Sequence, residues 1–207
     1  MLQRVIPRAW FNRFEGWWAR RYGVFDYSPG CVLRLQLHRH QGPPVRLSDG
    51  TVVRPGDPVA EVHVDSERVE RLHAESQDPR RVGLQFARLL TDAFTALAAY
   101  FREHPETPAV AVFGNTLYWQ GAERLGWEVR DLPPGLHRWL LNAWLRFLVW
   151  YYHPQGTRRT EGRTRLSRAR QIWMSRQRLL ELYGSPRRGG SVARPEQLIQ
   201  GDRLQTP

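Results

Sequence analysis

The stretch "GDPVAEVHVDSERVERL" places Glu61, His63 and Asp65 two residues apart, with Ala60, Val62 and Val64 between them. If the segment is a strand, its side chains alternate between faces, so one face is apolar and the other carries an acid, an imidazole and an acid. An imidazole beside carboxylates can take and give protons near neutral pH. A second alternating run, "CVLRLQLHRH", turns His38 and His40 to its polar side. Three histidines with two acids would be enough for a metal, but nothing in the sequence fixes the register that would join them, and no metal ligand set is assigned. The other reading of the row is the hydrated side of a sheet with local ion pairs.

A different chemistry is offered by His153, Arg158, Arg159, Arg163 and Arg165, followed by Arg168, Arg176 and Arg178. Guanidinium forks suit bidentate contact with phosphate. The residues from Tyr151 onward hold 12 arginines against 4 acids, a net +8 out of a formal +11 for the 207-residue chain, which contains no lysine. Such a field attracts phosphorylated lipids, sugars or cofactors, an anionic membrane surface, or nucleic acid. Nucleic acid is disfavoured because no helix-turn-helix, zinc-finger or RNP-type pattern is present. The alternative is a solvated arginine-rich face.

Several elements must position these groups. "PRAWFNRFEGWWARRYG" has helical spacing, with Trp10, Phe14, Trp17 and Trp18 on one face and Arg13, Arg20 and Arg21 away from it. That helix either packs on its own domain or lies in a membrane interface, where it and the basic C-terminal region would make a two-part anchor. Strands are expected over Leu33 to His40, Val45 to Leu47, Thr51 to Arg54 and Val59 to Asp65, joined by "QGPP", "SDGT" and "RPGDP" in an antiparallel meander. Ser66 is the expected N-cap of a short helix, and Pro79 to about Glu103 carries a long apolar stripe. "AVAVFGN" reads as a strand buried on both faces, "TLYWQGAERLG" as a short helix and "WEVRDLPP" as a strand, an order that implies a parallel crossover.

"GLHRWLLNAWLRFLVWYYH" is a helix with too many polar interruptions to span a membrane, and "LSRARQIWMSRQRLLELYG" reads as a final helix. The expected fold is α/β (α+β): a mixed sheet, an antiparallel meander followed by a β-α-β unit, and a C-terminal helical pair. Residues 1–184 form one domain (core 8–132, helical extension 133–184), and the Gly- and Pro-rich remainder reads as a disordered tail. The single cysteine, Cys31, excludes an internal disulfide, and without a recognisable signal peptide the expected address is cytoplasmic, peripheral to the inner membrane if the anchor operates.

The order of elements, with "DPRRVGLQFARLL" and "AVAVFGNTLYWQGAERLGWEV", resembles the GNAT N-acetyltransferase family over residues 8 to 132. In that family a strand leads into an R-x-x-G-x-G/A loop whose amides hold the pyrophosphate of coenzyme A at a helix N-terminus. The resemblance implies acyl-CoA as cofactor, Arg80, Arg81, Gly83 and Asn115 as its contacts, Glu61 or His63 as the base that frees an amine to attack a thioester, and Tyr118 as the acid. Gln85 stands where a second small residue is expected, residues 66 to 78 are an insertion, and the usual tyrosine position falls on Ala122. "LSDGTVVRPGDPVAEVHVDS", "GNTLYWQGAERLGWEVRDLP", "YYHPQGTRR" and "IWMSRQRLLELYG" more specifically resemble the YkoP-like domain family. That family occurs alone in bacteria and joined to polysaccharide deacetylase modules. The resemblance implies work in cell-envelope glycan or glycolipid metabolism, either as an acyltransferase or as a non-enzymatic domain that binds membrane or polyanion and supports a polysaccharide-modifying enzyme.

Overall fold

The computed structural model describes residues 8–75, 78–152 and 168–185. These residues contain five α-helices: α1 (Arg8–Tyr22), α2 (Ser66–Glu75), α3 (Pro79–Glu103), α4 (Leu136–Tyr152) and α5 (Arg176–Tyr183). The strands are β1 (Val24–Phe25), β2 (Leu33–Arg39), β3 (Val45–Arg46), β4 (Val52–Val53), β5 (Pro58–Val64), β6 (Ala111–Thr116), β7 (Glu128–Asp131) and β8 (Arg170–Ser175). Six of them form one mixed sheet in the order β1-β2-β5-β6-β8-β7, while β3 and β4 form a separate hairpin. This is the mixed α/β class that the sequence implied.

Alternation decides what each sheet face meets. Leu33 and Leu35 of β2, Ala60 and Val62 of β5, Val112 of β6 and Met174 of β8 point to one face. There α3 lays down Phe94, Leu97 and Phe101, and α5 adds Leu179 and Tyr183. The stripe at three- and four-residue spacing along α3 is what this face requires. On the opposite face, Val59, Ala111, Phe113 and Trp173 are covered at one end by Val45, Leu47 and Val53 of the hairpin segment. Toward the other end, α4 rests Leu141, Leu145 and Val149 on Leu117, Leu132 and Ala169. Space is left between these two covers.

Four local expectations change. The four expected strands are not one meander: β2 pairs directly with β5, and the chain between them leaves the sheet as the β3–β4 hairpin. The segment read as a final helix opens with a strand, because Trp173 and Met174 bury on opposite faces and so satisfy a period of two. Only after Ser175, whose side chain accepts from the Arg178 amide at 2.9 Å, does α5 begin. The expected helix at "TLYWQGAERLG" is a single 3-10 turn, Glu123–Leu125, between Gly121 and Gly126, both at positive φ. Finally, β6 and β7 do run in the same direction, but β8 lies between them, antiparallel to both.

Candidate functional site

The polar row lies on the sheet face beneath α1 and α4. The β2–β5 register sets Gln36 opposite Glu61 and Arg34 opposite His63, and the parallel β5–β6 register sets Glu61 beside Phe113. Asn115 is two residues further along β6 on the same face and donates from Nδ2 to Glu61 Oε1 at 2.9 Å. His38 Nε2 is 3.3 Å from Glu61 Oε2. His63 Nε2 lies 3.0 Å from Gln36 Oε1 and 4.0 Å from Glu61 Oε2. Four strand side chains thus converge on or beside one carboxylate.

The protons follow from the partners. His38 Nδ1 faces the carbonyl of Arg39 at 3.0 Å, which only accepts, so Nδ1 carries a hydrogen. Its Nε2 faces the carboxylate, so the pair is favourable when His38 is an imidazolium. The hydrogen bond to Glu61 accordingly raises the His38 pKa against the opposing effect of burial. For Glu61, burial is the largest influence and acts upward, but the hydrogen bond from His38, the charges of His63 and His38, and Asn115 together hold its carboxyl below the usual range. His63 moves the other way: burial pushes its pKa down, Glu61 opposes, and His38 and Arg34 push it down further. Two imidazoles on one carboxylate are driven apart, one toward the charged form and one toward the neutral form.

Above this cluster is a cavity of about 1180 Å³. Its floor is polar, with Gln36, His38, Glu61, His63 and Asn115. Its walls are mainly apolar, with Trp18 of α1, Leu72 of α2, Val82 and Phe86 of α3, and Leu141 and Leu145 of α4, and Glu15, Arg130, Asp131 and His137 also reach the lining. Trp18 stands edge-on to the His63 ring with centroids 5.4 Å apart. A few convergent polar groups under apolar walls are the usual make-up of a small-molecule site.

The other candidates fall into place around it. Asp65 does not line this cavity: it caps α2, its Oδ1 accepting from the amides of Glu67 (3.1 Å) and Arg68 (3.2 Å), and its carboxylate pairs with Arg68 Nε at 3.1 Å. The expected cap, Ser66, is the first residue of that helix. Tyr118 lines the cavity from an exposed position and meets Phe86 edge-on at 6.3 Å. Gly83 also lines it, with open space where a Cβ would stand. Residues 79–85, expected as a phosphate-binding loop, are the opening turns of α3. Arg81 is exposed there, and the side chain of Arg80 lies outside the described residues. Asn115, expected at a cofactor, lines the cavity and donates to Glu61. Arg176 gives its guanidinium to the carbonyls of Thr107 and Phe101 (2.9 Å for the latter) and stacks 4.9 Å over the Phe101 ring. His153, Arg158, Arg159, Arg163 and Arg165 lie outside the described residues. His40 lines the cavity too, with its Nε2 at the Pro43 carbonyl (2.9 Å) and its ring edge-on to Trp173. No group of three or more His, Cys, Asp or Glu side chains among the described residues is placed to hold a metal ion.

Sequence reasoning missed Gln36 and the apolar walls. Gln36 shares the alternation that singled out His38, so the signal was present. The walls depend on which helices fold over the row, and no local spacing encodes that.

A model of the YkoP domain matches residues 6–183. The chain belongs to the YkoP domain family. Among curated proteins, the "Uncharacterized protein YkoP" of Bacillus subtilis (strain 168) is 26% identical over 110 residues. That alignment covers 53% of this chain and 60% of the relative, so the chain spans about three fifths of the length of the curated YkoP protein it matches. No solved structure matches this YkoP domain. Among the described residues, no helix is long and apolar enough to cross a membrane.

Proposed function

We propose that this YkoP domain is an acyltransferase of cell-envelope glycan or lipid metabolism, with its acceptor held at the Glu61 cluster. One observation carries the reading: the Glu61 carboxylate and the His63 imidazole, 4.0 Å apart at closest approach, lie together in the floor of a large, mainly apolar cavity. Glu61 attracts the ammonium of an acceptor. His63, kept neutral by burial, is better matched than Glu61 to take its proton, and takes it at Nδ1, since Nε2 faces Gln36 Oε1 and carries the hydrogen; a carboxyl held below its usual range is a weak base. The freed nitrogen attacks the carbonyl carbon of an acyl thioester; the C–N bond forms and the C–S bond breaks. The thiolate leaves with a proton, for which Tyr118 is the candidate donor, and the second proton lost from nitrogen as the amide forms restores the tyrosine.

Supporting acyl-CoA as the donor are the resemblance to N-acetyltransferases and two features of the fold. The β5–β6 pairing ends at Glu61 and Phe113, and the first turns of α3 reach the cavity at Val82 and Gly83. Against a standard pyrophosphate loop stand the inserted α2 and the side chain of Phe86 in the cavity wall. The apolar walls favour a long acyl chain or a lipid-linked acceptor over a small polar one.

The test is a thermal-shift screen of the intact chain against acyl-CoAs of increasing chain length, phospholipids and sugar phosphates. A ligand that binds only the folded form raises the midpoint. An acyl-CoA series whose shift grows with chain length, with turnover abolished by Glu61→Gln or His63→Gln but binding kept, is the expected outcome. Lipid-induced stabilisation with no response to any acyl-CoA would overturn the transferase reading in favour of a binding domain.

A further inference from the structure

The two helices above the cavity lie side by side. Phe11 sits between them, its ring centroid 4.6 Å from Tyr151, 5.8 Å from Phe147 and 6.3 Å from Trp144, while Phe14 meets Trp144 at 6.4 Å. As α1 advances from Phe11 to Phe14, its partners on α4 retreat from Tyr151 to Trp144, so the helices run in opposite directions. Their shared seam buries Phe11 yet leaves its outer side apolar. Trp10 is 75% exposed, Trp17 54%, Leu136 72%, Trp139 67% and Leu140 51%. Positions 10, 14 and 17 form one helical stripe, and 136, 140 and 144 another, meeting where Phe14 touches Trp144. A monomer rarely leaves so many large apolar side chains contiguous and open.

Charge indicates what covers them. Among the described side chains of the two helices there are five arginines (Arg13, Arg20 and Arg21 on α1; Arg138 and Arg146 on α4) and one acid, Glu15. A second copy of the chain would bring a like-charged surface against this one. An anionic bilayer complements it: indoles settle at the headgroup level, and arginines around them meet phosphates. Phe14 and Trp144 are part of the exposed stripe and also line the cavity. The apolar surface and the cavity therefore share a rim.

We propose that the α1–α4 seam docks on an anionic bilayer and that the cavity opens onto it at the rim that the Phe14–Trp144 pair helps to form. A membrane amphiphile can then enter chain and headgroup together, bringing its polar group to the Glu61 cluster. The docking surface stands on the seam alone; the route to Glu61 rests on the function proposed above.

The experiment uses the full chain with vesicles of phosphatidylcholine, alone or mixed with phosphatidylglycerol. The expected result is association with the anionic vesicles and a blue shift of tryptophan emission that brominated lipids quench. Trp10→Ser combined with Trp139→Ser should weaken association by about tenfold or more, given the area two indoles withdraw from water. Its melting temperature should be unchanged, since both side chains are mostly exposed. Arg13→Gln and Arg138→Gln should each cost about fivefold on anionic vesicles. Glu61→Gln should bind vesicles like the parent chain, which separates loss of docking from loss of the site. Equal association with neutral and anionic vesicles, or none with either, would overturn the proposal. So would a stable dimer that the tryptophan pair dissociates while lipid binding stays the same.

Discussion

Asn115 Nδ2 bonds Glu61 Oε1 at 2.9 Å at the point where the parallel pairing of β5 and β6 stops. The amide bridges the two strands just beyond their last register pair, Glu61 with Phe113. Asn115→Ala therefore removes both a strand-to-strand tie and a donor to a buried carboxylate. A hydrogen bond to a charged group is worth about 1.5–3 kcal/mol, so the urea midpoint should fall by a corresponding amount. The Glu61 carboxyl should titrate at higher pH than in the parent chain, which carboxyl NMR measures directly.

His38 gives a pH signature with a definite sign. Its folded pKa is raised above the ordinary value of about 6.5. The pairing with Glu61 therefore contributes fully to stability below about pH 6.5 and is lost as pH rises through the folded value. His63, with a lowered folded pKa, contributes the opposite trend: stability declines as pH falls from about 6.5 toward that value. Glu61 adds a loss at still lower pH, as it drops through its own depressed folded value. Chemical denaturation across this range should show a maximum near neutrality. His38→Asn should remove the decline on the alkaline side and leave the decline attributed to His63.

Arg176 ties the start of α5 to the end of α3 and the loop after it, through the carbonyls of Phe101 and Thr107. Arg176→Met keeps the bulk over the Phe101 ring but leaves two carbonyls without their donor. A loss of about 2–4 kcal/mol is expected by chemical denaturation. Affinity for phosphate-bearing ligands should be unchanged in the folded fraction, because the fork already has its partners.

Asp65→Ala should cost about 1 kcal/mol, the usual effect of losing an N-cap. Stabilisation by any ligand of the cavity should survive the substitution. If that stabilisation disappears, Asp65 is more than a cap.

Half of the site could be read from a period of two. Glu61, His63, Gln36 and His38 face one way because strand geometry leaves no choice, and their alternation is visible in the residues themselves. Asp65 followed the same alternation but ends the strand, where the next element's unpaired amides claim its carboxylate. Choosing it over Ser66 as the cap is a one-residue decision that backbone angles make and residue types do not. β8 was hidden for a different reason. Ile172, Trp173, Leu179, Leu180 and Tyr183 fit a helical face about as well as a strand followed by a helix, and only the partners β6 and β7 decide between them. Arg176 looked like a free cation because two carbonyls from distant parts of the chain reach it, and no local pattern reports that.

The place of β8 sets the order in which the protein can be completed. β6 and β7 emerge first from the ribosome with nothing between them, and the strand that fills the gap is made after α4. Until then the β6 edge bearing Phe113 and Asn115 is open, and Trp173 has not covered Phe113. An open, apolar edge is a site for wrong pairing. A nascent chain of this protein therefore passes through an aggregation-prone interval that ends only when Arg170–Ser175 pairs with the β6 edge and gives β7 the strand it pairs with.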